Sequence, residues 1–269
     1  MTDYVEIDGK RLYYELAGQG PTLVLAHAGF LDSGMWDDQW AALRAHYRVI
    51  RYDMRGYGKS DALEGPTTRR EELHQLLTHL NVGAAFLIGC SMGGEMMLDY
   101  TLEHPDKVLG LVMVNSTPSG FEMQGAPPAE IMQMIEAIQA RDVPRISELQ
   151  MRVWIDGPNR QPHEVDAAVR QRAAAMNQTP VQNFTWVVAD MQPASPLQPP
   201  AVEQLNKVHV PTLVMAGALD NTEIMRAADV LVAGIAGARK AVIVGAAHIP
   251  SMEQPAEFNR IVLDFLNAI

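Results

Sequence analysis

The sequence predicts an α/β protein: a mostly parallel, twisted sheet of eight strands flanked by helices, interrupted by an all-helical insertion. Three observations carry that prediction. Continuous apolar runs alternate with stretches of helical periodicity, the pattern of strands covered on both faces and joined by crossover helices. A glycine-rich turn, Ile88-Gly89-Cys90-Ser91-Met92-Gly93-Gly94, lies between the apolar run Ala84 to Ile88 and a helix-like stretch that begins near Gly93. From about Pro118 to Gln204 the strand pattern stops and helical stretches take over.

Taken in order, the opening residues alternate around Val5, Ile7 and Leu12 to Tyr14, with Asp8-Gly9 between them, which reads as an antiparallel hairpin at a sheet edge. Thr22 to Ala26 is continuously apolar and reads as a buried strand. Ser33 to Leu43 places Met35, Trp36, Trp40 and Leu43 at helical spacing, and Tyr47 to Tyr52 is the next strand. It ends in the loop Asp53-Met54-Arg55-Gly56-Tyr57-Gly58-Lys59-Ser60, where Asp53 and Arg55 are expected to brace the turn by hydrogen bonds. Thr68-Arg69-Arg70-Glu71 has the form of a capping box for a helix with Leu73, Leu76, Leu77 and Leu80 inward, stopped by Asn81 and Gly83. The helix after Ser91 turns Met96, Met97 and Tyr100 inward, and Val108 to Val114 is another buried strand.

The insertion opens at Pro127-Pro128 with a helix whose apolar face is Ile131, Met134, Ile135 and Ile138. Further helices are expected over Ser147 to Trp154, His163 to Met176 and Val181 to Ala189. Val210 to Ala216 and Lys240 to Val244 complete the strands around a helix from Glu223 to Ile235, and a last helix buries Phe258, Ile261, Val262, Phe265 and Leu266. The expected division is residues 1–119 and 205–269 as the α/β core, with 120–204 as a helical cap over the carboxyl ends of the strands.

Charge and composition narrow the partners. A formal net charge of -11, without clustered Lys or Arg, argues against nucleic acid or an anionic membrane and favours a neutral or weakly acidic small molecule. No apolar run approaches a membrane span, and the first residues lack the basic and apolar regions of a secretory signal, so a cytoplasmic protein is expected. Cys90 is the only cysteine and, between a buried strand and the turn, is expected to be an inert packed thiol. No clustered His, Cys and carboxylate set suggests a metal.

Gly89 to Gly93 matches G-x-S-x-G in the strand-turn-helix setting that gives this pattern its chemistry. Such a turn lifts the Ser91 hydroxyl above the sheet edge and puts the Met92 N–H at a helix N-terminus, where partial positive charge accumulates. Serine is a weak nucleophile at neutral pH and needs a base, which in turn needs an orienting carboxylate. Asp220 and His248 each follow a predicted strand, and the chain order Ser91, Asp220, His248 is the one such folds use.

With these residues in place the chain resembles the α/β-hydrolase superfamily, in its serine-nucleophile branch, over nearly all its length except the insertion. The resemblance rests on His27-Ala28-Gly29-Phe30, the loop Asp53 to Ser60, Gly89 to Gly94, Gly217-Ala218-Leu219-Asp220 and Gly245-Ala246-Ala247-His248. It departs from the family's His-Gly loop in carrying Ala28 where glycine is usual. The resemblance implies a catalytic triad of Ser91, Asp220 and His248, an oxyanion hole from the N–H of Met92 and that of Gly29 or Phe30, and a structural His27. No metal or organic cofactor is called for.

The run from Met35-Trp36-Asp37-Asp38-Gln39 onward is most similar to the enol-lactonase, esterase and cofactor-free haloperoxidase branch. Serine at the turn disfavours haloalkane dehalogenation. The leading expectation is a hydrolase of small carboxylic esters or lactones, monomeric or homodimeric. Hydrolysis of a carbon–carbon bond in a ring-cleavage product and a small-molecule receptor on the same fold remain alternatives. Trp154, Trp186, Met134 and Ile249 are the candidate pocket residues.

Overall fold

A computed structural model describes all 269 residues. Its frame is one sheet of eight strands in the order β1-β2-β4-β3-β5-β6-β7-β8. The strands are β1 (Thr2–Ile7), β2 (Lys10–Ala17), β3 (Thr22–Ala26), β4 (Arg48–Tyr52), β5 (Ala85–Cys90), β6 (Val108–Val114), β7 (Thr212–Gly217) and β8 (Arg239–Ile243). β1 pairs antiparallel with β2, and β2 with β4; every later pairing is parallel. The Asp8-Gly9 turn that makes the hairpin has both residues at positive φ, which the small Gly9 and the Asx side chain tolerate.

Every residue of β3 and of β7 is buried, as expected of strands with helices on both faces. One face packs Leu73, Leu76 and Leu77 of α2 (Arg69–His79) and Met96, Met97 and Tyr100 of α3 (Met92–Glu103). The other packs Trp36, Leu43 of α1 (Asp37–Arg44), and Phe258, Val262, Phe265 and Leu266 of the C-terminal helix at Pro255–Leu266. The predicted capping box at Thr68 does not form, because the Thr68 side chain caps nothing. In its place the buried side chains of Arg69 and Glu72 enter an ion-pair network that fixes the start of α2.

Between β6 and β7 there is no strand. The segment holds α4 (Ala129–Gln139), α5 (Val143–Gln150), which runs into a π-helical turn at Met151–Asp156, and α6 (Ala167–Gln182), followed by a second π-helical turn at Trp186–Asp190. Two expectations need correction here. Ile135 faces solvent, because α4 packs mainly through Met134 and Ala137. The helices expected over 163–176 and 181–189 are instead one helix that continues through Pro180, then the second turn.

This segment meets the core through loops that leave the carboxyl ends of β3 and β4. Asn177 donates to the Phe30 carbonyl at 2.8 Å, Thr185 to the Gly56 carbonyl at 2.7 Å, and Arg69 to Asp190 at 2.8 Å. No helix is long and apolar enough to cross a membrane.

Candidate active site

β5 delivers Ser91 in a backbone conformation that a non-glycine residue avoids, φ 53° and ψ -121°. Such strain persists only where the surroundings force it, and the glycines show how. A Cβ on Gly89 would overlap the Gly93 backbone, and one on Gly94 would overlap Ser116 Oγ. A Cβ on Gly93 would lie 2.6 Å from the carbonyl oxygens of Ala26 and His27. The turn therefore closes only with hydrogen at those positions. Its Ser91 N–H is tied to the Val114 carbonyl at 2.8 Å, and Met92 becomes the first residue of α3, so the Met92 N–H has no helical carbonyl to bond.

The loops after β7 and β8 are braced against each other. Asn115 donates to the Ala247 carbonyl at 2.8 Å and accepts from the Gly217 N–H at 2.9 Å, while Glu253 accepts from the Ala247 N–H. A side chain at Gly217 would overlap the Ala247 carbonyl, so the loops touch only because residue 217 has none. That contact brings Asp220 Oδ2 to 2.6 Å from His248 Nδ1, with both side chains buried. Nδ1 must carry the proton to face a carboxylate, which leaves Nε2 as an acceptor. Nε2 is buried and has no hydrogen-bond partner in the chain.

Cys90, one residue before Ser91, approaches the His248 carbonyl at 3.7 Å, so the two loops adjoin the turn. No hydrogen bond joins Ser91 Oγ to Nε2. Burial pushes the Cys90 thiol well above its usual range, which makes it the packed, unreactive group expected.

The loop after β3 supplies the facing wall. His27 is fully buried; its Nε2 accepts from the Met54 N–H at 2.9 Å and its Nδ1 donates to the Ala28 carbonyl at 2.9 Å, so both nitrogens serve the loops. Ala28 has an ordinary negative φ and is fully buried, so its methyl is accommodated without backbone strain. Gly29 lies against Met92: a Cβ there would meet Met92 Sδ at 3.1 Å. Asp53 accepts from the N–H groups of Ser33 and Lys59, both at 2.8 Å, and so braces the turn as its position implied.

A cavity of about 220 Å³ opens above Ser91. Gly29, Phe30, Ser91 and Met92 line it from the core, and Met134, Trp154 and Trp186 from the helical segment. Trp154 stands 4.9 Å from the His248 ring, centroid to centroid. Ile249 is the exception among the candidate pocket residues. It is fully buried in the core cluster that also holds Phe258 and Met252 and does not line the cavity; a short helix begins at Pro250, the next residue.

Two polar residues outside the candidate set also line the cavity, Gln150 and Asp190. Gln150 was legible in principle, since it stands four residues before Trp154 and so on the same helical face. Asp190 was not, because its partners Arg69 and Tyr57 are more than a hundred residues away in the chain.

A larger cleft of about 370 Å³ adjoins the cavity and shares Met92 and Asp190 with it. Its wall includes Glu95, whose carboxyl burial and the nearby Asp99 push up to about 7. The native state thus holds a proton that the unfolded chain releases near 4.5, and Glu95 stabilises the fold at low pH and loses that contribution as pH rises through about 7. Glu95→Gln, which cannot ionise, is expected to gain melting temperature relative to wild type between pH 5 and pH 8. Parallel thermal melts at the two pH values check this, and a constant difference would contradict it.

A family model described as alpha/beta hydrolase fold matches residues 21–255. The chain belongs to the α/β-hydrolase family. Among its curated relatives is a 3-oxoadipate enol-lactonase from Acinetobacter baylyi, 25% identical over 265 residues, covering 97% of this chain and 95% of the relative. Another is a pimeloyl-[acyl-carrier protein] methyl ester esterase from Yersinia enterocolitica, 27% identical over 260 residues, covering 95% and 97%. Among solved structures, Est816, described as an N-acyl homoserine lactone degrading enzyme, superposes with a TM-score of 0.78 at 26% identity, covering 98% of this chain and all of that one. This α/β-hydrolase thus has lactonase and esterase relatives that match at least 95% of its length.

Proposed function

We propose that this α/β-hydrolase cleaves small, uncharged carboxylic esters or lactones through an acyl-enzyme on Ser91. The observation that carries the reading is the Asp220–His248 pair at 2.6 Å with an unpartnered Nε2, beside a strained serine that lines a cavity. Nε2 takes the Ser91 proton as Oγ attacks the carbonyl carbon, and Asp220 holds the tautomer and stabilises the imidazolium. Hydrogen bonds of this kind tighten when substrate is bound, so their length in the free protein does not decide the role.

The developing oxyanion is held by the N–H of Met92 and that of Gly29, favoured over Phe30 by the close approach of Gly29 to Met92. Each such donor typically contributes about 10²–10³ in rate. His248 then returns the proton to the leaving alcohol, and water repeats the cycle on the acyl group. Residues 120–204 act as a cap whose Met134, Trp154 and Trp186 shape the acyl site.

An uncharged substrate is favoured by the cavity wall, in which Asp190 is the one charged residue and no cation is present. A carboxylate-bearing substrate would find no counter-ion there, since Asp190 is already paired with Arg69.

The test is turnover of a panel of short p-nitrophenyl esters, simple lactones and a vinylogous diketone of the ring-cleavage type. Esters or lactones cleaved well above the diketone are the expected result. Preference for the diketone would assign carbon–carbon hydrolysis, and no turnover of any compound would assign a ligand receptor.

A further inference from the structure

Gln150 occupies the cavity wall with its polarity fixed by a chain of hydrogen bonds. The chain starts at the Phe30 carbonyl, which accepts and cannot donate. Asn177, fully buried, reaches that carbonyl at 2.8 Å and must therefore present its NH2 group to it. The same Nδ2 lies 2.6 Å from the Gln150 side chain, which must therefore present its oxygen to Asn177. Turning Asn177 over would set two acceptors against each other at Phe30.

The amide of Gln150 is thus oriented by a main-chain carbonyl two hydrogen bonds away. Its remaining group, the Nε2 amine with two hydrogens, has no partner in the chain, while the residue lines the cavity beside Trp154 and Ser91. In an otherwise mostly apolar wall that group is a free donor, positioned for a ligand oxygen to accept from it.

We propose that Gln150 is a substrate-binding residue that donates from Nε2 to an acceptor oxygen set apart from the scissile carbonyl, so that the cavity selects oxygenated esters over plain hydrocarbon ones. Asn177 is its positioning residue and couples the acyl site to the Phe30 loop. The inference rests on the hydrolase reading above and adds to it the chemistry of the preferred substrate. Asp190, the other polar lining group, does not duplicate the role, since its oxygens already accept from Arg69 and Tyr57.

The experiment compares kcat/KM on butyl hexanoate with kcat/KM on analogues carrying a keto oxygen in the acyl chain (3-oxo or 5-oxo) or in the alcohol (3-oxobutyl). The readout is each analogue's rate relative to butyl hexanoate, compared between wild type and variant, so that intrinsic ester reactivity cancels. Gln150→Leu removes the donor, and relative rate on at least one analogue is expected to fall by at least about fivefold, the scale of one hydrogen bond.

Gln150→Glu keeps an oxygen for Asn177 but turns an acceptor into the cavity, and the same analogue is expected to lose at least as much. It decides the matter if the Leu variant fails to fold. A smaller change for every analogue in the folded variants overturns the assignment of Gln150 alone. Failure of wild type to cleave butyl hexanoate or any analogue overturns the hydrolase reading and this inference with it.

Discussion

Replacing Ser91 with alanine is expected to lower kcat on a cleavable ester by at least about 10⁴, because triad members act as a unit and losing one forfeits most of what all three supply. His248→Ala is expected to cost a similar factor, and the double variant little more than either alone. Steady-state kinetics on the three proteins test this. The reasoning is geometric: the strained turn at φ 53° holds Ser91 in one place, and the Asp220–His248 pair at 2.6 Å leaves a single acceptor nitrogen free. Additive losses in the double variant would mean that the two residues do not share a step.

The largest expected loss of stability lies away from that chemistry. Glu72 is buried between two buried guanidinium groups, Arg55 at 2.7 Å and Arg69 at 3.3 Å. Arg69 also pairs with Asp190 of the helical segment, and the Tyr57 hydroxyl stands between Asp190 at 2.6 Å and the Gly29 carbonyl at 2.9 Å. Glu72→Ala leaves the buried Arg55 with only the Ile7 carbonyl and the Thr67 hydroxyl and no ion-pair partner, a change that typically costs ~3–5 kcal/mol. Chemical denaturation of wild type and variant measures it. Since the network ends on the Gly29 loop, activity should fall along with stability. A variant as stable as wild type would show that the two arginines are hydrated or repaired elsewhere.

The strands and the turn at Ser91 were legible because each rests on local rules. β3, β5, β6 and β7 announce themselves as apolar runs, and the turn at Ser91 needs glycines at 89, 93 and 94 for steric reasons that act within a few residues or against the adjacent strand. Asp220 and His248 were found by chain order and by their place after strands, not by any local signal of their own. What the sequence hid depends on tertiary contact.

Ile249 follows His248 in the chain, but it is fully buried in the core cluster that holds Phe258 and is absent from the cavity wall. Thr68 has the sequence of a cap, yet the competing ion pairs of Arg69 and Glu72 set the start of α2. Pro180 would ordinarily end a helix, and α6 runs through it, which no local propensity foretells. Asp190 and Asn177 matter through partners in distant loops, so nothing near them in the chain marks them.

The most direct measurement is reaction with a fluorophosphonate, which captures a serine only when a base activates it, followed by mass mapping of the modified peptide. Stoichiometric modification of Ser91, absent in Ser91→Ala and slowed by orders of magnitude in His248→Ala, is the expected result. A wild-type protein that remains unmodified while folded, or is modified at another residue, contradicts the account.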